Sequence, residues 1–391
     1  MTERTNEPRN IAGQVVRGPD FWGRDVEVAE LWRRLERGSV LLAAPRRHGK
    51  SSLMYALADA PQPGWQVVLL NVEYVETPAE FANEIAARVF AAHPTRNLAD
   101  RIAAGPRILA KWFAGLVESV DVGVPDVAEV KVALRAQAPV DWRAALEAFW
   151  RVATANSRLL LVLDELPVMV AGMLEKDEAE AVRFLHWFRA LRQEGGRFLL
   201  GGSVNMEPLL HARGQSALLN DLDRMWLPAF SPERRVAFLQ ALLAGEGYPV
   251  TDAGLATYIA EKIDSGVPYY LQVYLDEILA EARRCGCVPN RELADRALAD
   301  AVLGPRCFSR FSHYLERLRA YGTAETAARE LLHRLAETIT LTDLPKDDAT
   351  MRLLTRLHSD WYIEREGAEV RFADGFLKAW WRRNAPMGRL R

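Results

Sequence analysis

A lysine and a serine follow an apolar run near the start of the chain, in a segment that could bind phosphate groups. Val40 to Ala43 predicts a buried strand, and Lys50 to about Asp59 predicts a helix. Where a strand turns into a helix, successive backbone N–H groups and the helix N-terminus form a cradle for phosphates. The candidate cradle residues are Ala44, Pro45, Arg46, Arg47, His48, Gly49, Lys50, Ser51 and Ser52.

Four positions in this segment have separate expected roles. Lys50 should reach the β- and γ-phosphates, and the Ser51 hydroxyl should ligate Mg²⁺. Gly49 lets the backbone approach the phosphates without a Cβ. Ala44 replaces the usual first glycine of such a loop, and because its Cβ restricts φ, we expect a strained or differently shaped loop there. Taken alone, the segment could also be an ordinary basic turn between a strand and a helix.

Two acids end a second apolar run, from Leu159 to Glu165. Such a continuous run predicts a central strand that is covered on both faces. Asp164, at the carboxyl end of that strand, can hold Mg²⁺, and Glu165 can polarise the attacking water as a general base. A buried strand followed by an acidic loop is the alternative. Because both segments end strands, together they predict a P-loop nucleoside triphosphatase that binds ATP and Mg²⁺.

Strands alternate with helices in the first 230 residues, which predicts an α/β fold with a mostly parallel sheet and helices on both faces. Further strands are predicted at 66–71, 197–200 and 224–227. Val120, Val122 and Val124 alternate with other residues, and Val130, Val132 and Leu134 alternate again. This alternation predicts a β-hairpin insertion near residues 117–135.

After residue 230 helical patterns dominate, and a short hairpin follows near the C-terminus. We expect a nucleotide-binding domain at residues 11–230, a helical lid domain at 231–305 and a winged-helix domain at 306–391. The candidate recognition helix of the last domain, Asp347 to His358, begins with two acids that oppose phosphates. We therefore favour protein docking for this domain, and DNA binding stays open as the alternative.

Composition excludes several classes of protein. The chain has 391 residues, of which 49% are hydrophobic, enough for two or three domains. Its formal net charge of -2 gives no global basic field for nucleic acid. A polar N-terminus and short apolar runs predict a cytoplasmic protein with no membrane partner. Cys285, Cys287 and Cys307 lack zinc-site spacing, so we expect reduced thiols.

Four segments together resemble a known family: Phe21-Trp22-Gly23-Arg24-Asp25, the stretch from Pro45 to Leu53, Leu163-Asp164-Glu165-Leu166-Pro167, and Gly201-Gly202-Ser203. They are similar to the archaeal-type P-loop ATPases on the border of the AAA+ and STAND groups. Those proteins are akin to origin-recognition initiator ATPases and carry a C-terminal winged helix. The resemblance extends from about Val16 to Arg383, and Ala44 is its main departure.

The resemblance implies further site residues. Phe21, Gly23 and Arg24 would lie along the adenine, and Ser203 or Asn205 would be a polar sensor near the γ-phosphate. Pro268, in Gly266-Val267-Pro268, would belong to a lid motif that touches the nucleotide. A plain helix stop and restart is the alternative for that motif. The family's sheet order would set the strand with the acids beside the P-loop strand.

The resemblance also gives a role to Arg224, which precedes the last apolar run of the nucleotide-binding domain. In the family, an arginine here lies near the γ-phosphate of an adjacent protomer. A guanidinium suits this role because it is always charged and offers forked donors to phosphate oxygens. A surface salt bridge with Asp221 or Asp223 is the alternative.

These observations favour a slow ATPase that acts as a molecular switch. Its nucleotide state would control conformation, assembly or the engagement of a partner. One alternative is an ATP-dependent DNA-binding protein of the initiator type. Another is a nucleotide-stabilised scaffold with little turnover. The expected partners are ATP, a second copy of the chain or another protein, with DNA left open.

Overall fold

The structure is a computed structural model, and it describes residues 7–92, 96–114, 116–119, 126–139, 141–202, 206–248, 253–303, 308–319 and 321–384. Contacts divide the chain into two compact units. The sheet unit comprises Asp25–Ala44 and Lys50–Leu227. The helical unit comprises Met1–Arg24, Pro45–Gly49 and Pro228–Arg391.

The sheet unit is built on five parallel strands. They are β1 (Val40–Ala43), β2 (Trp65–Asn71), β3 (Arg158–Asp164), β4 (Arg197–Gly202) and β5 (Asp223–Trp226). Their order in the sheet is β2-β3-β4-β1-β5. β3 has strands on both sides and is buried from Leu159 to Asp164, as its continuous apolar run predicts. The predicted α/β class is confirmed.

Helices connect these strands, and their apolar faces form the core of the sheet unit. In the third helix, for example, Phe81, Ile85 and Val89 recur at helical spacing and are all buried. The helices are α1 (Asp25–Leu35), α2 (Lys50–Asp59), α3 (Pro78–Ala92), α4 (Arg96–Ala103), α5 (Arg107–Trp112), α6 (Leu116–Ser119), α7 (Val127–Ala136), α8 (Trp142–Thr154), α9 (Leu166–Lys176), α10 (Glu178–Gln193) and α11 (Met206–His211).

The insertion predicted as a β-hairpin near 117–135 is helical where the structure describes it. Asp126 and Glu129 form a reciprocal capping box that begins α7, and this local signal outweighs the alternation of valines. Val130 is buried and Val132 is 70% exposed, which suits a helix, because residues two positions apart would share one face of a strand. The second strand of the hairpin is therefore a wrong prediction, and residues 120–125 lie outside the described residues.

An ion pair holds α7 on α3. The Glu84 side chain is 2% exposed, and its Oε2 lies 2.5 Å from Lys131 Nζ. The Tyr74 hydroxyl donates to the same oxygen at 2.7 Å. A buried carboxylate needs such partners, because desolvation of an unpaired charge is costly.

The helical unit contains eight α-helices and one hairpin among its described residues. They are α12 (Pro232–Gly245), α13 (Ala253–Ile263), α14 (Pro268–Cys285), α15 (Arg291–Arg296), α16 (Phe308–Arg319), α17 (Glu325–Glu337), α18 (Asp348–Ser359), β6 (Ile363–Glu366), β7 (Glu369–Phe372) and α19 (Gly375–Asn384). A π-helical turn spans Ala297–Val302. The predicted hairpin is present as antiparallel β6 and β7.

One continuous apolar core runs through this unit. Tyr270 of α14 packs against Phe311 of α16 and Phe376 of α19, with ring centroids 5.3 and 5.2 Å apart. The helices on either side of residue 305 thus share their core residues. The division into a lid and a winged-helix domain stays a prediction.

Two further sequence expectations concern the cysteines and the membrane. Cys285 and Cys287 are joined by a disulfide, so the expectation of reduced thiols is wrong for this pair. Gly286 between them has φ +64 and ends α14, a left-handed turn that brings the two side chains together. Cys307 lies outside the described residues. Within the described ranges, no helix is both long and apolar enough to cross a membrane.

Candidate nucleotide site

A hydroxyl and a carboxylate from distant parts of the sequence meet in the sheet unit. Ser51 Oγ donates to Asp164 Oδ2 at 2.5 Å. Ser51 lies in the first turn of α2, and Asp164 is the last residue of β3. The other carboxylate oxygen, Oδ1, accepts from the Glu165 backbone N–H at 3.0 Å. The two residues predicted to ligate Mg²⁺ are therefore side by side.

The strand that precedes Ser51 is β1, and the strand that ends at Asp164 is β3. In the sheet, β4 lies between these two strands. The expectation that the acid-bearing strand lies beside the P-loop strand is therefore wrong. Glycines at the end of β4 explain how the contact still forms. A Cβ on Gly201 would lie 2.1 Å from Met54 Cε and 3.4 Å from Asp164 Oδ1. A side chain here would fill the space that α2 and the Asp164 carboxylate use.

The segment that joins β1 to α2 has the backbone shape of a tight turn at two positions. Arg47 has φ +74 and Gly49 has φ +84. Ala44 is 2% exposed and is not among the residues with positive φ. Ala44 therefore does not have a left-handed backbone. Arg47 does, and that conformation is unfavourable for a residue with a Cβ.

Lys50 and Glu165 both lie at the start of a helix in the sheet unit. Lys50 is the first residue of α2 and is 6% exposed, next to backbone N–H groups that attract anions. Glu165 follows the metal-site candidate Asp164 directly and has φ +59 at the start of α9. A left-handed residue other than glycine stores strain of a kind that is frequent at functional sites.

The oxygen ligands present fit a magnesium ion. Mg²⁺ prefers oxygen donors and is held by one or two protein oxygens, with phosphates and water completing its shell. Ser51 and Asp164 offer such a pair. In the described part of the chain, no cluster of three or more histidine, cysteine, aspartate or glutamate side chains could hold a metal ion.

The loop Pro45–Gly49 makes its side-chain contacts within the helical unit. Arg24, which is 3% exposed, donates from Nη2 to the His48 carbonyl at 3.3 Å. Its guanidinium lies 4.4 Å from the Phe230 ring centroid. Arg47 lies 4.3 Å from the ring centroid of Tyr269 in α14. Sequence reasoning missed both pairs, since no local pattern indicates which aromatic residues face the loop.

The predicted lid motif is held by backbone and side-chain hydrogen bonds. The Phe230 N–H donates to the Gly266 carbonyl at 2.7 Å, and a Cβ on Gly266 would lie 2.3 Å from the Phe230 carbonyl oxygen. The Val267 N–H donates to Ser265 Oγ at 3.1 Å, and Pro268 begins α14. A glycine is thus needed here for the close backbone packing, and the lid role of the motif stays a prediction.

Arg224 lies in β5 at the edge of the sheet. Its Nη1 is 2.5 Å from Glu207 Oε1, so its ion-pair partner is neither of the two aspartates considered above. Asp223 pairs with Arg34, and Asp221 pairs with Arg192. Phe21 and Gly23 belong to the helical unit. Ser203 and Asn205, the two sensor candidates, lie outside the described residues.

Comparisons with known proteins identify the fold. No protein-family model matches the sequence, and no curated protein is significantly similar to it. Among solved structures, the Walker-type ATPase PABY2304 of Pyrococcus abyssi is similar with a TM-score of 0.58 and 18% identity, over 96% of this chain and 98% of that chain. The ORC2 protein of Aeropyrum pernix, in its ADPNP–ADP complexes, has a TM-score of 0.54 and 13% identity over 97% and 96%.

At these identities the similarity concerns the fold alone. The chain has the α/β P-loop fold of these two archaeal proteins, over nearly its whole length. The fold agrees with the resemblance drawn from the four sequence segments. Activity, ligands and partners of this chain are matters for proposal.

Proposed function

We propose that the chain binds ATP with Mg²⁺ in the segment from Ala44 to Ser52. The observation that carries the proposal is the 2.5 Å contact of Ser51 Oγ with Asp164 Oδ2. A hydroxyl and a carboxylate that converge at the carboxyl ends of parallel strands are the ligand pair that phosphate-bound Mg²⁺ uses in P-loop proteins. Lys50, buried at the start of the adjoining helix, supplies the positive charge that the phosphates need.

Hydrolysis is the second part of the proposal. Glu165 orients and deprotonates the attacking water, Asp164 and Ser51 hold the metal, and Lys50 stabilises charge on the phosphates. Ser203 or Asn205 acts as the polar sensor. We infer slow turnover, because the sequence offers no clear lid arginine of the AAA+ kind.

The proposed role is a molecular switch. Residues 45–49 belong to the helical unit by their contacts. Two of these contacts are those of Arg24 with the His48 carbonyl and of Arg47 with Tyr269. Phosphates bound by this loop would compete for the same backbone and guanidinium groups. Nucleotide binding would thereby shift the balance of contacts in the helical unit. Phe21, Gly23, Arg24 and Pro268 are proposed to contact the nucleotide.

Protein docking is favoured over specific DNA reading for the C-terminal segment. Arg352 lies 3.9 Å from Asp348, and Arg356 stacks on Tyr321 with its Cζ 3.9 Å from the ring centroid. In the hairpin, Arg371 pairs with Glu364 at 2.6 Å. Arginines engaged in this way are poorly placed to neutralise phosphates. Duplex binding that weakens steeply with salt would favour the initiator alternative instead.

Glu165→Gln tests the proposed chemistry, because it keeps the size of the side chain and one acceptor but removes the base. We expect ATP binding within about threefold of the parent and a fall in phosphate release of about a hundredfold or more. Glu175→Gln, an exposed acid later in the same helix, is the matched control. Equal phosphate release in parent and Glu165→Gln would refute the role. Binding without release in the parent would favour the scaffold alternative.

A further inference from the structure

A cleft of about 250 Å³ opens at the amino ends of β2, β3 and β4 in the sheet unit. Its walls include the indoles of Trp65 and Trp150, which are 6% and 7% exposed. Arg158 and Arg197, the first residues of β3 and β4, also line it. No role in nucleotide binding has been given to any of these residues.

The cleft is separate from the proposed nucleotide site. All strands of the sheet are parallel, so their amino ends lie at the edge opposite to Asp164. β3 spans seven residues from Arg158 to Asp164, and at a rise of ~3.3 Å per residue the two ends are about 20 Å apart. A ligand in the cleft would therefore not touch the residues proposed to bind ATP.

The two arginines of the cleft differ in their charge balance. Arg158 stacks on Trp65, with its Cζ 4.0 Å from the ring centroid. Both of its Nη atoms contact the Glu36 carboxylate, at 3.1 and 2.5 Å. Arg158 is thus neutralised by a bidentate partner. Its guanidinium forms part of the wall and is not available to a ligand.

Arg197 has no such partner. Its Nη1 donates to the Gly195 carbonyl at 2.9 Å, and its Nε is shielded from water without a hydrogen-bond partner. It forms no ion pair with any residue that the structure describes, and the Glu36 carboxylate interacts with its charge only from a greater distance. The Nη atoms of such a guanidinium favour an anionic group that can accept two parallel hydrogen bonds.

The negative charge in the cleft comes from a side chain that the fold does not hold in place. Glu194 also lines it, but this side chain is exposed and makes no ion pair within the described ranges. Ser157 Oγ and Thr154 Oγ donate to backbone carbonyls of α8, so their oxygens remain as acceptors. Gly195 and Gly196 complete this side of the lining.

We propose that this cleft binds a small organic acid, with its carboxylate on Arg197 and its apolar part against Trp65 and Trp150. At ~30 Å³ for each water of liquid volume, the space corresponds to about eight waters, so the ligand has on the order of ten non-hydrogen atoms. Bidentate pairing with the fork of Arg197 distinguishes a carboxylate from a neutral amide of the same shape.

Phenylacetate is a suitable probe, with phenylacetamide as its uncharged isostere and phenethylamine as its cationic counterpart. Binding to the full chain is followed by ligand-observed NMR titration in the presence of saturating ATP and Mg²⁺. We expect saturable binding of phenylacetate, with affinity at least about tenfold higher than that of phenylacetamide. Phenethylamine should not bind.

Variants identify the site. Arg197→Met keeps the aliphatic stem and should weaken phenylacetate binding about tenfold or more, while Arg197→Lys should have an intermediate effect. Glu194→Gln should strengthen binding by about two- to threefold, because it removes a like charge. Arg151→Met, which removes an exposed arginine of α8 that does not line the cleft, is the matched control and should change affinity less than threefold. Thermal unfolding of each variant checks that it folds.

Three results would overturn the proposal. They are no saturable binding up to about 10 mM phenylacetate, equal affinity of the parent and a folded Arg197→Met, and displacement of the probe by ATP. Lys50→Ala, which removes a residue of the proposed ATP site, should bind phenylacetate as the parent does. The proposed organic-acid site and the proposed ATP site are therefore tested by separate measurements.

Discussion

The Ser51 hydroxyl and the Asp164 carboxylate are 2.5 Å apart, although the two residues are 113 positions apart in the sequence. The strands that lead to them, β1 and β3, are not neighbours, because β4 lies between them. The contact is a product of the fold and joins the start of α2 to the end of β3. In the proposed site it would position two oxygen ligands for one metal ion. The proposed metal dependence of nucleotide binding therefore rests on this pair.

Asp164→Asn should selectively weaken Mg²⁺-dependent ATP binding, because the amide keeps the shape of the side chain but not its charge. We expect affinity for Mg²⁺-ATP to fall by about tenfold or more, while affinity for ATP in EDTA changes less than threefold. Isothermal titration calorimetry under both conditions measures the two values. An identical loss with and without Mg²⁺ would argue for a general disruption of the site.

Alanine substitutions in β4 should cost stability according to what their Cβ meets. On Gly202 a Cβ would lie 2.2 Å from Pro167 Cδ, in a rigid ring. On Gly201 it would lie 2.1 Å from Met54 Cε, the end of a flexible side chain. We expect Gly202→Ala to cost about 2–3 kcal/mol and Gly201→Ala about 1–2 kcal/mol in the free energy of unfolding.

Gly172→Ala in α9 is the control for this pair, since nothing lies within 4 Å of a Cβ there. It should stabilise the fold by about 0.5–1 kcal/mol, because alanine favours a helix interior. Urea denaturation measures all three variants. A Gly202→Ala variant as stable as the parent would show that β4 and α9 are further apart than the structure has them.

A partly buried carboxylate should make the helical unit sensitive to pH. Ser265 Oγ donates to Asp374 Oδ2 at 2.5 Å, yet burial raises the pKa of Asp374 to about 6 from 3.8. The folded chain then holds this proton more tightly than the unfolded chain does. The stabilising contribution is complete below about pH 4 and is lost as pH rises to about 6, a loss on the order of 1–3 kcal/mol.

Asp374→Asn should remove that dependence, because the amide stays neutral at every pH. The difference in unfolding free energy between variant and parent should grow in favour of the variant from pH 4.5 to pH 7, as measured by urea denaturation. A constant difference over this range would mean that Asp374 titrates normally. Ser265→Ala, which removes the hydroxyl donor but keeps the acid, should retain the pH dependence.

Arg224 tests whether a second copy of the chain takes part in hydrolysis. It pairs with Glu207 at the edge strand β5, and an exposed ion pair of this kind contributes little to stability. If Arg224 acts on a neighbouring protomer, Arg224→Ala and Lys50→Ala should each be poorly active, and a mixture should regain turnover. Arg183→Ala, which removes another exposed arginine of the sheet unit, is the matched control.

The mixing experiment decides whether Arg224 acts on a neighbouring protomer. Arg224→Ala that hydrolyses ATP like the parent at every protein concentration would exclude the role. Loss of activity without recovery on mixing would assign Arg224 to its own chain. Phosphate release measured over a range of total protein concentration distinguishes these outcomes.

The strands and the chemical residues of the sheet unit could be predicted because their signals are local. The apolar run of β3 ends in Asp164 and Glu165, and Lys50 and Ser51 begin a helix, so both chemistry and position follow from neighbouring residues. The strand order could not be predicted in this way. No sequence pattern within β4 indicates that this strand lies between β1 and β3, although Gly201 and Gly202 are the residues that this placement needs.

The errors have the same origin. Alternating apolar residues at 130–134 suit a strand or an exposed helix, and the capping box at Asp126 and Glu129 decided between them. The contact of Arg47 with Tyr269 joins residues more than two hundred positions apart. Long-range contacts of this kind depend on the whole fold, so they cannot be predicted from a pattern within one segment.

Calorimetric titration of Lys50→Ala with Mg²⁺-ATP tests the central claim most directly. Lys50 is buried at the start of α2, and its loss should weaken binding by about tenfold to a hundredfold, since hydrogen bonds to charged groups are worth ~1.5–3 kcal/mol. Lys176→Ala, which removes an exposed lysine paired with Glu76, should bind as the parent does. Unchanged affinity in a folded Lys50→Ala would contradict the account, because the nucleotide would then bind elsewhere.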